Sequence, residues 1–144
     1  EQIQIMLGKE IFMIYLEQEK YIEAIDIGSK IVEEMFNSVS FDDKVLAETC
    51  YNVAICNRYV GYESYNKIVD TINGGIADNE ILKDMLIEAD IALKYFKTAK
   101  ERFYDASSFD ADDQKSTTYA KDLNKLIKSI KTIFKPQIKE LITK

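Results

Sequence analysis

From Asp43 to Asp105 the apolar residues recur at steps of three, four and seven, and the pattern is interrupted once, by Asn73-Gly74-Gly75. Before the interruption the series runs through Tyr51, Ile55, Tyr62, Tyr65, Val69 and Ile72. After it come Leu82, Met85, Ala89, Ala92, Phe96, Ala99 and Phe103. Such spacing places each set on one face of a helix. A Gly-Gly pair is a poor helix interior, so the chain is expected to reverse there and form one long antiparallel hairpin. With the turn at residue 73, Ala54 and Ala92 lie equally far from it and are predicted to face each other across the seam.

Shorter helices flank this pair. Gln2 to about Leu16 is helical by the spacing of Ile3, Leu7, Ile11 and Ile14, and a second helix runs from about Tyr21 to Phe36 with Ile22, Ile25, Ile31 and Val32 near one stripe. Ser40 with Asp43 resembles a capping box opening the third helix, and Asp42 and Asp43 suit the positive end of its dipole. The third helix is expected to continue through Gly61 to Ile72, with Gly61 the place where a kink would fall. Asp78 is predicted to cap the fourth helix, which ends near Asp105, and Ser107 to Asp113 reads as a linker. The fifth helix is expected from Gln114 to Phe134, with Leu123, Leu126, Ile127, Ile130, Ile133 and Phe134 apolar. Pro136 then bends or ends it, with a further turn or two beyond. The fold class is all-α, about five helices in antiparallel hairpins around a long central one, in a single domain over residues 1–144.

Two places resemble the tetratricopeptide repeat, a helix-turn-helix unit of about 34 residues. Tyr15, Tyr21, Glu23, Ala24 and Ile25 fall at its helix-A tyrosine and the start of helix B. Tyr51-Asn52-Val53-Ala54 resembles a second helix A, and Ala92, Phe96 and Ala99 follow the small, aromatic, small spacing of a second helix B. The extra residues between them, divided about residue 73, would lengthen each arm by roughly 20 Å and make the hairpin project. Phe12 departs from the family's small residue, and no proline closes either repeat. The resemblance implies a concave surface of alternate helices that binds an extended peptide, lined here by Lys9, Met13, Tyr51, Asn52, Ile55 and Arg58. Lys9 and Asn52 match members that grip a terminal carboxylate, but Met13 replaces their second asparagine, so a full clamp is not expected. The fifth helix would begin a third repeat or cap the array.

Composition narrows the functional classes. Apolar residues make up 47% and charged residues 31%, with one proline, the balance of a helix-rich globular chain. Histidine is absent, which excludes Ser-His and Cys-His nucleophile pairs and imidazole metal sites built within this chain. Cys50 and Cys56 lie about 9 Å apart along one helix and cannot bridge, so they are expected to be reduced thiols in a cytoplasmic setting. No stretch approaches a membrane span, and no secretory signal is visible. The chain opens on Glu1 rather than Met, as a fragment or processed product would.

The net charge of −6 is uneven: residues 1–113 hold 11 basic and 23 acidic side chains, and the remainder eight lysines against Asp122 and Glu140. Lys121, Lys125, Lys128, Lys135 and Lys139 form a stripe that is read as solvated or loosely paired with the acidic body. It lacks arginine, so no nucleic-acid partner is expected. Phe109 to Asp113 is not a calcium loop, because Lys115 and Lys121 stand where its glycine and glutamate would be; it is read as an acidic cap. Tyr51, Tyr59, Tyr62 and Tyr65 are read mainly as seam packing, with Tyr59 off the stripe. Asp84 and Glu88 are helix-spaced but lack the histidines of a di-metal bundle.

The reading is a non-catalytic, protein- or peptide-binding scaffold or sensor module without cofactor or metal. The alternatives are a self-associating homodimer joined through the long hairpin, and a carboxylate-based enzyme.

Overall fold

The computed structural model describes residues 2–38, 41–75 and 77–142. They form α1 (Gln2–Glu17), α2 (Tyr21–Phe36), α3 (Asp43–Gly74), α4 (Asn79–Phe109), α5 (Gln114–Ser129), one π-helical turn (Ile130–Phe134) and α6 (Lys135–Ile142). Among the described residues there is no strand, and the fold is all-α. Successive helices pack against each other, and α3 and α4 make the long hairpin. Ser40, half of the expected capping box, lies outside the described residues.

Aspartates open three of the helices. Asp42 accepts from the Lys44 N–H at 3.0 Å, Asp78 from Ile81 at 2.9 Å, and Asp113 from Ser116 at 2.9 Å. Each satisfies an N–H that a helix start would otherwise leave unpaired. Asp113 also accepts from the Ser116 hydroxyl, which is fully buried. Removing the Asp78 carboxylate (Asp78→Ala) is therefore expected to cost about 1 kcal/mol. Asp113→Ala should cost more, because it also strands a buried hydroxyl. Urea unfolding of the two variants tests the order.

Packing corrects several sequence expectations. Along α1 the buried side chains are Ile5 and Phe12, whereas Ile3, Leu7, Ile11 and Ile14, the stripe that identified the helix, are exposed. The helix is apolar on both sides, and burial chose the less obvious one. Gly28 explains that choice: a Cβ there would stand 2.7 Å from Val53 Cγ2 and 2.8 Å from Phe12 Cε1. Helices α1, α2 and α3 converge on this glycine, and the Phe12 phenyl fills the gap it leaves.

Gly61 repeats the device in the long hairpin. Helix α3 runs through it as one unbroken helix, and a Cβ would meet Phe96 Cδ1 at 2.5 Å and Cε1 at 2.6 Å. The glycine admits a ring rather than hinging the helix. This contact also sets the register. The Thr71 hydroxyl meets Met85 Sδ at 3.3 Å and Lys67 reaches Glu88 at 3.4 Å. The chain midpoint between Thr71 and Met85 is Asp78, and the other two pairs agree within half a residue. The reversal is thus centred beyond Gly75, which ends α3 in the left-handed region at φ 76°.

Ala54 and Ala92 are both fully buried in the seam, but they do not face one another. The observed register puts Ala92 level with Ser64, about 15 Å along the helix from Ala54. Nor does the hairpin project alone. Phe134 meets Tyr65 at 5.8 Å, Ile138 is fully buried, and Leu141 reaches the recess beside Gly75 and Leu82, so the end of the chain clothes the distal half.

The remaining boundary differences are local. Helix α4 continues to Phe109, with the Ser107 and Ser108 hydroxyls donating to the carbonyls of Tyr104 and Asp105, so the linker shrinks to residues 110–113. Pro136 does not end the last helix, which continues to Ile142. A widened turn precedes it, in which Lys135 N–H donates to Ile130 O, five residues back. Proline lacks the N–H and crowds the carbonyl one turn earlier, and the π turn accommodates both.

Candidate functional site

Helices α1, α3 and α5 share one side of the molecule through their side chains, and α2 and α4 share the other. On the first side, the Asn52 amide donates to Met13 Sδ at 3.9 Å, and the Arg58 guanidinium lies 4.2 Å above the Tyr119 ring. On the second, Phe36 packs against Phe109 at 5.7 Å with Arg102 beside it. Antiparallel helices connected by short turns produce this alternation, since every second helix points the same way.

The six side chains expected to line a groove are therefore on adjoining helices, but they do different work. Met13 and Asn52 are half-buried and bridge α1 to α3. Lys9 lies one turn before Met13 and is likewise only part-exposed. Ile55 belongs to the core between α3, α4 and α5. Tyr51 and Arg58 hold α5 in place. Tyr51 meets Phe103 edge-on at 5.7 Å and Tyr119 at 6.5 Å, and Arg58 stacks on Tyr119 and approaches Phe103. Aromatic contacts of this kind dock an element as well as a ligand does.

Two residues that the sequence did not place in the groove complete this side. Tyr119 supplies the ring on which Arg58 rests. Lys115 brings its ammonium within 5.0 Å of the Tyr51 ring centre, and its pKa is raised by a hydrogen bond with Tyr51 and by the neighbouring Tyr51 and Tyr119 hydroxyls. Both belong to α5, whose position depends on long-range packing. The faint sequence signal was that Tyr119 stands four residues before the buried Leu123, on the same helix face. Beside Tyr51 lies an open recess of about 250 Å³ bounded by Lys44, Glu48, Asp110, Asp113 and Lys115.

The other constellations resolve more simply. Tyr62 and Tyr65 close on Phe96 at 5.2 and 6.1 Å as seam packing, and Tyr59, off that stripe, stacks on Tyr21 at 4.7 Å. Of the lysine stripe, Lys135 pairs with Asp90 at 2.7 Å. Lys125 and Lys128 line a shallow recess of about 430 Å³ with the exposed Lys131, whose pKa is lowered first by Lys97, then by slight desolvation and Lys100. Glu88 receives Lys67 through one carboxylate oxygen, and the second is buried without a protein partner. Among the described residues no group of three metal-ligating side chains converges, and no helix is long and apolar enough to cross a membrane. Compared with known family models, curated proteins and solved structures, the chain matches none.

Proposed function

We propose that this chain is a protein- or peptide-binding helical repeat module of tetratricopeptide type, with an extended partner segment lying across α1, α3 and α5. The observation that carries the reading is the alternation itself: Met13 touches Asn52 and Arg58 touches Tyr119, so three successive odd-numbered helices present one continuous face. That face combines a thioether, an amide, aromatic rings and the cations Lys9, Arg58 and Lys115, a mixture suited to apolar anchors flanked by polar main chain.

Selection from a random displayed-peptide library, followed by NMR mapping, tests the reading. Selected peptides should move the Met13 methyl and Asn52 side-chain amide signals, and Lys9→Glu should change affinity by about tenfold, roughly 1.4 kcal/mol. Peptides that shift only signals from α2 and α4, or a library that yields no binder, would remove the proposal. Arg58→Glu is a poor probe, because Arg58 also secures Tyr119 and hence α5.

A further inference from the structure

Helix α1 has two apolar faces and only one of them is covered. Ile5 and Phe12 point into the core. Ile3, Leu7 and Ile14 fall within about 40° of each other on the far side at 100° per residue, flanked by Ile11 and Met6, with Glu10 between Met6 and Ile3. The five apolar side chains are between 45% and 75% exposed. An exposed apolar patch of this kind marks a docking surface.

We propose that this stripe is the contact between two copies of the chain, joined through antiparallel α1 helices about a twofold axis. Two features favour a second copy as the occupant. The stripe is self-complementary under reversal: with the axis near Gly8 and Lys9, Ile3 meets Ile14 of the second copy and Leu7 meets its Ile11, to within a residue. Each stripe offers on the order of 500 Å² of apolar surface, so two of them bury about 1,000 Å², the lower bound of a specific interface. That area gives a reversible dimer rather than an obligate one. The contact does not involve the long hairpin, through which the alternative reading joined a dimer, and it leaves the Met13–Asn52 face open.

Sedimentation velocity over a concentration series tests the proposal. The wild-type chain should pass from monomer to dimer around micromolar to tens of micromolar concentration. Leu7→Glu/Ile14→Glu should remain monomeric throughout with an unchanged circular-dichroism spectrum, since both side chains are exposed in the monomer. Ile87→Glu, which changes an exposed isoleucine on α4, should dimerise as the wild type does. A wild-type monomer at roughly millimolar concentration overturns the proposal. So does a dimer that survives the double substitution, or one that Ile87→Glu dissolves.

Discussion

Phe96→Ala is expected to lower the unfolding free energy by about 3–5 kcal/mol, a large share of what a chain of this size has. The ring is fully buried, closes on Tyr62 and Tyr65, and fills the gap that Gly61 leaves in α3. Its removal opens a cavity where two long helices meet, and neither can collapse inward without shifting the other. The same contact predicts the sign of a second substitution. Alanine is a better helix former than glycine by about 1 kcal/mol, so Gly61→Ala would stabilise an unencumbered helix. Here the new methyl would stand 2.5 Å from a ring carbon that cannot swing aside. Overpacking of this kind costs about 1–3 kcal/mol and should outweigh the propensity gain. With Phe96→Leu in the background, Gly61→Ala should lose much of its cost. Urea unfolding of the four proteins in a double-mutant cycle measures the coupling; additivity, or a stabilising Gly61→Ala in the wild type, would show that the two residues do not meet.

Stability should also fall steeply in alkali. Burial pushes the Cys50 and Cys56 thiols up from 9.0 to about 12, and Asp105 adds to the effect at Cys50 while Arg102 opposes it. Burial raises Tyr21 and Tyr65 as well. The folded chain keeps these protons longer than the unfolded chain does. Their contribution is whole below the unfolded thiol value near 9.0 and is lost as pH climbs towards 12. At ~1.4 kcal/mol per pH unit for each thiol, the two together amount to several kcal/mol. Melting temperature against pH for the wild type and for Cys50→Ala/Cys56→Ala tests this, with a flatter alkaline limb expected in the double variant. Equal limbs would assign the loss to other groups. At neutral pH both buried thiols should react with a disulfide reagent only as fast as the fold opens.

Much of the secondary structure was legible because its signals are local. Asp78 and the acidic residues before Gln114 announced helix starts through side-chain geometry within four residues, and α2 begins and ends where its period does. Tyr62 and Tyr65 read as seam residues because they keep a helical period with Ile55 and Val69. The boundaries that moved did so for equally local reasons that compete with composition: serines at 107 and 108 extend α4 by bonding back to its carbonyls, and a π turn carries the last helix past Pro136.

The candidate site was less legible. Lys9, Met13, Tyr51, Asn52, Ile55 and Arg58 do lie on adjoining helices of one side, but the sequence alone could not separate those that face outward from those that secure α5. Tyr119 and Lys115 were missed because they come from a helix some 60 residues away from Tyr51 and Arg58 in the chain.

By itself the sequence determined an all-helical chain, the order and approximate limits of its helices, and the absence of histidine chemistry, since these follow from periodicity, caps and composition. Only the tertiary structure decided which face of α1 is buried and where the long hairpin meets. Both depend on volume matching between distant residues: Phe12 enters the gap at Gly28 and Phe96 the gap at Gly61, and a pattern of apolar positions records that a residue is hydrophobic without recording the shape it must fit.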